Sequence, residues 1–102
     1  MISKYLDCSI GHITETDLDI LHMNDKNTQF PVRIIEHGYG VWVNVVTENA
    51  EDQADRVLEM KNGFGMSEEF CNLYELAVDH DCNWINLDMD ADTIPDLPTF
   101  DW

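Results

Sequence analysis

At 102 residues the chain is the usual size of one domain, and with 44% apolar and 10% aromatic residues it can bury one modest core. No run approaches the roughly 18 apolar residues of a membrane span, and MISKYLDCSIGH lacks the apolar stretch of a secretory signal, so the expectation is a cytoplasmic protein with no membrane partner. Acidic residues outnumber basic ones 21 to 5, for a net charge of −16, and no Lys or Arg follows Lys61. Such a field repels nucleic acid and draws in basic surfaces, which disfavours direct DNA or RNA binding.

In chain order, ISKYLDCSI (2–10) alternates Ile2, Leu6, Cys8 and Ile10 on one side, the period of a half-buried strand. Thr14 and Asp17 form a short capping box, with Ile13 and Leu18 at staple spacing, so a helix is expected from Glu15 to about Met23. NDKNTQFP is polar and ends in Pro31, which turns Phe30 to an extended conformation. PVRIIEHGYGVWVNVV reads as a hairpin around His37-Gly38-Tyr39-Gly40, the glycines being expected at positive φ. Ala50, Ala54, Val57 and Leu58 predict a helix over 50–61 that stops at Asn62-Gly63. Ser67 caps a further helix to about His80, with Glu68 and Glu69 in its first turn and Phe70, Leu73, Tyr74 and Ala77 as its stripe. WINLD (84–88) is a last short strand, and Pro95 and Pro98 exclude regular structure beyond it.

This order predicts an α+β fold of the βαββαβ ferredoxin-like type: one antiparallel sheet with helices on one face, residues 1–92 as the domain and 93–102 as a tail packed on it. Leu6, Cys8, Ile34, Val43, Ile85 and Leu87 should face the helices; Tyr5, Asp7, Arg33, His37, Trp42, Asn44, Trp84 and Asn86 should face the open side. The tail anchors Leu97, Phe100 and Trp102 are expected to fold over that open face.

Signals for catalysis are absent. Asp88-Met89-Asp90-Ala91-Asp92 has the first alternating ligands of a calcium loop, but Thr93 stands where glycine is needed and Thr99 where a bidentate glutamate belongs. Gly63-Phe64-Gly65 lacks the rest of a phosphate loop. Cys8, Cys71 and Cys82 have no paired spacing and read as reduced thiols. The expectation is therefore a protein that is not an enzyme and has no cofactor. A metal- or ligand-binding module is an alternative, because neighbouring strands could join Cys8 and His12 to His80 and Cys82.

The remaining signal is the carboxylate surface. Sixteen charges match about 27 Å of duplex DNA, close to the size of a domain this long. Glu48, Glu51, Asp52, Asp55 and Glu59 fall at i, i+3, i+4 spacing, like a phosphate track. With Glu68, Glu69, Asp88, Asp90, Asp92 and the open-face Trp42 and Trp84, they are the expected partner-binding residues.

The segments YLDCSIGHITETDLDIL, EHGYGVWV, CNWINLDMD and LPTFDW resemble a domain-of-unknown-function family of small acidic bacterial proteins on prophages, plasmids and genomic islands near antirestriction genes. The stretch Glu48 to Gly65 departs from it. The resemblance supplies no catalytic residue or cofactor; it implies a setting in defence and counter-defence. The expected function is protein-protein binding, most concretely as a DNA-mimic inhibitor of a host nucleic-acid-binding defence enzyme, of antirestriction or anti-CRISPR type. An antitoxin-like partner of a basic protein is a further alternative, and the open sheet face leaves a homodimer open.

Overall fold

The computed structural model describes residues 4–27, 29–45, 50–95 and 97–100, with the side chains of 50–53 outside that description. Expectations for Ile2, Glu48, Trp102 and the side chains of Glu51 and Asp52 therefore fall outside the described residues. The chain runs β1 (Tyr5–Ser9), a 3-10 turn (Ile10–His12), α1 (Glu15–Met23), β2 (Ile34–His37), β3 (Gly40–Asn44), α2 (Ala50–Gly63), α3 (Glu68–Asp79) and β4 (Trp84–Asp88). Each expected helix and strand is present within a few residues.

The class is α+β, but the sheet is mixed and not antiparallel. Its order is β1-β4-β3-β2, with β1 at an edge and parallel to β4, while β4/β3 and β3/β2 are antiparallel. This corrects the antiparallel ferredoxin-like plan. The two outer segments β1 and β4 are joined by the whole intervening chain, so no turn fixes their relative direction. Their register is set by burial, which stacks Leu6 on Ile85 and Cys8 on Leu87.

Alternation then fills the core: Cys8, Ile34, Val41, Val43, Ile85 and Leu87 are buried with Ile20 and Leu21 of α1, Met60 of α2, and Phe70, Leu73, Tyr74 and Ala77 of α3. Burial pushes the Cys8 thiol up to about 12, with the adjacent Asp7 carboxylate adding to the shift; Cys71 is also raised, chiefly by burial.

Two turns correct the sequence reading. Among the described residues positive φ occurs at Asp81 and Gly65, not at the hairpin glycines. Gly40 is needed for a different reason: a Cβ there would lie 1.8 Å from the Leu87 carbonyl oxygen, so only glycine lets β3 approach β4 at this point.

Asp17 is 1% exposed and ties two helix starts together. Its Oδ2 accepts the Thr14 N–H at 3.0 Å, while Thr14 Oγ1 accepts the Asp17 N–H, the expected capping box. It also accepts the Ser67 N–H at 2.8 Å on Oδ1 and the Ser67 hydroxyl on Oδ2. Ser67 Oγ in turn caps α3 by accepting the Phe70 N–H. One buried carboxylate thus sits at the positive ends of α1 and α3.

The described part of the segment after β4 is tied to the end of β1 and not to the open face. Ile94 N–H donates to His12 Nε2 at 2.7 Å, His12 Nδ1–H donates to the Pro98 carbonyl at 2.8 Å, and Phe100 N–H reaches the Gly11 carbonyl. Leu97 and Ile94 pack on the edge of the core beside the 3-10 turn. The expected anchoring by Leu97 is present; its location is the end of β1 and not the sheet face, because the buried imidazole of His12 offers the two polar partners that segment needs.

Candidate functional site

The face of the sheet turned away from the helices carries Tyr5, Asp7 and Ser9 of β1, Trp84, Asn86 and Asp88 of β4, Trp42 and Asn44 of β3, and Ile35 and His37 of β2. Strand register brings its aromatics together: Tyr5 pairs with Trp84, and Asn44 and Trp42 flank them on β3. Tyr5 and Trp42 meet edge to face at 5.2 Å, and Trp42 and Trp84 at 6.4 Å. With Ile35 they line a shallow concavity of about 430 Å³. Tyr5 is 55% and Ile35 41% exposed, so the apolar face is open to solvent among the described residues.

A polar row runs beside the aromatics. The Asn86 amide donates from Nδ2 to Asp7 Oδ1 at 2.8 Å, and its Oδ1 accepts from His37 Nε2 at 2.9 Å. Because the carboxylate can only accept, this direction is forced, and the His37 proton is on Nε2 while Nδ1 accepts the Tyr39 N–H at 3.3 Å. His37 also lies 6.2 Å from the Trp42 ring. The row ties Asp7, Asn86 and His37 to one another beside the two tryptophans.

The expected partner-binding residues within the described residues separate into three groups. Trp42, Trp84 and Asp88 belong to the open face. Asp55, Glu59, Glu68 and Glu69 lie on helices of the opposite layer, Asp55, Glu59 and Glu68 exposed and Glu69 half-buried. Asp90 and Asp92 are exposed beyond the end of β4, where Asp88 Oδ1 accepts the Asp90 N–H at 2.8 Å and the Asp92 carbonyl accepts the Ser9 N–H. These aspartates shape a turn and its junction with β1; they do not converge on a common point. Tyr5, Asp7, His37 and Asn86 lie on the open face where the alternation put them, although they were not among the expected partner contacts; Ile35 was missed, and the same alternation from Arg33 to His37 was the signal that could have found it.

The four residues of the metal alternative are not brought together. Cys8 and His12 lie toward the end of β1, whereas His80 and Cys82 lead into the start of β4. Parallel pairing puts those points at opposite ends of the sheet, Cys8 level with Leu87 and roughly 16 Å along the strand from Cys82. Both His12 nitrogens are already engaged by backbone groups. Among the described residues no group of three or more His, Cys, Asp or Glu side chains is placed to hold a metal ion.

No described helix is long and apolar enough to cross a membrane. Neither the curated proteins nor the solved structures include a significant match to the chain. Residues 5–102, which hold all four strands, the open face and the His12 junction, match the model of the C-terminal domain of a family of unknown function, DUF5983, and the chain belongs to that family.

Proposed function

We propose that this domain works by binding another protein through the open face of its sheet. The observation that carries the reading is the uncovered cluster of Tyr5, Ile35, Trp42 and Trp84, flanked by the Asp7 and Asp88 carboxylates, on a chain of net charge −16. Aromatic side chains that are half-buried by each other give large contact area at little entropic cost, which suits the centre of an interface. The acidic surround selects a partner with a basic surface and accelerates its approach.

In its most concrete form the partner is a nucleic-acid-binding enzyme and the domain a DNA mimic that inhibits it. The principal extents of 33 × 28 × 25 Å match the roughly 27 Å of duplex that would carry the same charge. The resemblance to proteins of mobile elements near antirestriction genes points to a cytoplasmic defence enzyme of restriction or CRISPR type as the target. An enzymatic role has no support in the site.

The test is capture with tagged protein from a lysate containing such enzymes, washed at low and high salt, beside a Tyr5→Ser/Ile35→Ser variant whose changed side chains are exposed. Retention of a nucleic-acid enzyme at low salt, competed by duplex DNA and lost in the variant, is the expected result. Capture indifferent to both DNA and the face variant overturns the reading.

A further inference from the structure

Although bases are scarce, three of the five Lys and Arg residues line one cavity: Lys26, Arg33 and Arg56. It measures about 610 Å³, within the range of roughly 300–1,000 Å³ typical of small-molecule sites, and lies at the end of the sheet where β2 begins and β3 finishes. The wall formed by Phe30, Pro31 and Arg33 is pinned on two sides. Phe30 is buried against Phe64 with ring centroids 4.7 Å apart, and Arg56 Nη1 donates to the Pro31 carbonyl. The Arg33 carbonyl is held by the Asn44 N–H at 2.9 Å.

Among the described residues none of the three cations makes an ion pair with a carboxylate. Among the described residues the ion pair present is His22 with Glu36, elsewhere on the surface, and Asp25, the carboxylate among the lining residues, makes none with them. The Arg56 Nε–H is buried without an acceptor, the one such side-chain atom among the described residues. A buried guanidinium N–H without a partner costs free energy unless a ligand supplies the acceptor, and in a protein this acidic a carboxylate was the easy internal solution. We propose that this cavity binds a compact phosphate-bearing anion of the pyrophosphate class, free or carried by a nucleoside, with Arg56 as the buried anchor and Lys26 and Arg33 as the flexible outer cations.

Guanidinium forks and an ammonium match multiply charged phosphate oxygens by charge-assisted hydrogen bonds. Size selects a small ligand over a strand of nucleic acid. A small anion feels mainly the three nearby cations, because screening acts over roughly 8 Å at physiological salt, whereas a long polyanion would extend over the acidic remainder of the surface. The site shares Asn44 with the open sheet face but none of its aromatics, so each stands if the other fails.

Calorimetric titration of the full chain with pyrophosphate, with a nucleoside diphosphate and with a single-stranded oligonucleotide tests this directly. Saturable one-to-one binding of pyrophosphate or the diphosphate is expected, weakened at least roughly tenfold in a Lys26→Ala/Arg33→Ala variant, whose altered side chains are exposed and whose melting temperature should match the parent. Absence of saturable binding by both small anions overturns the proposal, whatever the variant does. So does equal affinity in parent and variant, or tighter binding of the oligonucleotide than of either small anion.

Discussion

The two ends of the sheet solve opposite problems with buried charge. At the end where α1 and α3 begin, Asp17 is almost wholly enclosed and three donors from Thr14 and Ser67 satisfy it, beside the helix termini that favour an anion. At the other end, Arg56 spends one N–H on the Pro31 carbonyl and leaves Nε without an acceptor. A buried charge surrounded by partners is a structural joint, because removing either side costs stability. One left incomplete beside a cavity is better understood as half of a binding interaction. The contrast is between a buried carboxylate whose partners are complete and a guanidinium that holds the Pro31 carbonyl yet keeps one N–H over.

The sharpest way to break the comparison is Asp17→Ala. It removes the acceptor of the Thr14 and Ser67 donors at the starts of both α1 and α3 and leaves their half-buried N–H groups unpaired, so a loss of about 3 kcal/mol is expected, or a fall in melting temperature of more than roughly 10 °C. A fall of only a degree or two would mean that the joint is decorative. A smaller effect, about 2 kcal/mol in denaturant unfolding, is expected for His12→Ala, which removes the acceptor of the Ile94 N–H and the donor to the Pro98 carbonyl. Hydrogen exchange should locate that loss at Ile94 and its neighbours while the core amides keep their protection. Uniform loss of protection would make His12 part of the global core instead.

The core between the two ends provides a prediction that is silent at neutral pH and emerges only in alkali. Cys8 holds its proton to about 12 in the folded protein against 9.0 for an ordinary thiol, first because it is buried and second because Asp7 adjoins it. The unfolded chain therefore releases this proton at lower pH than the native state. The contribution of Cys8 is complete below about pH 9 and is lost as pH rises toward 12, by at most about 1.4 kcal/mol per pH unit. Stability of the parent relative to Cys8→Ala, followed by urea unfolding from pH 8 upward, should decline over that window. A constant difference across it would show that the thiol titrates alike in both states.

How much of this was legible in the sequence depends on the reach of each signal. The capping box Thr14/Asp17, the Ser67 cap and the alternation of β3 and β4 involve neighbours a few residues apart, and all are in place. The partners that define the sites lie far apart in sequence. Asp17 and Ser67 are 50 positions apart, and Lys26 and Arg56 come from separate elements. The parallel pairing of β1 with β4 left no local trace either, so the sequence reading assigned it the wrong direction and consequently drew Cys8, His12, His80 and Cys82 into one cluster. The acidic helix stripe was visible as spacing, and alternation put Trp42 and Trp84 on the face away from the helices, yet the partner-binding set joined residues of both layers as one surface.

The edge pairing of β1 with β4 also bears on how the fold is reached. Tyr5 and Trp84 are register partners 79 positions apart, so closing this pair requires the two most distant strands to meet. Long-range pairing of this kind slows folding, because the chain gives up its loop freedom before the contact rewards it. During synthesis the first strand emerges early and has no partner until the last has left the ribosome. Its apolar side, Leu6 and Cys8, gains its cross-strand partners only then, so β4 is the strand whose arrival commits the molecule to its native topology.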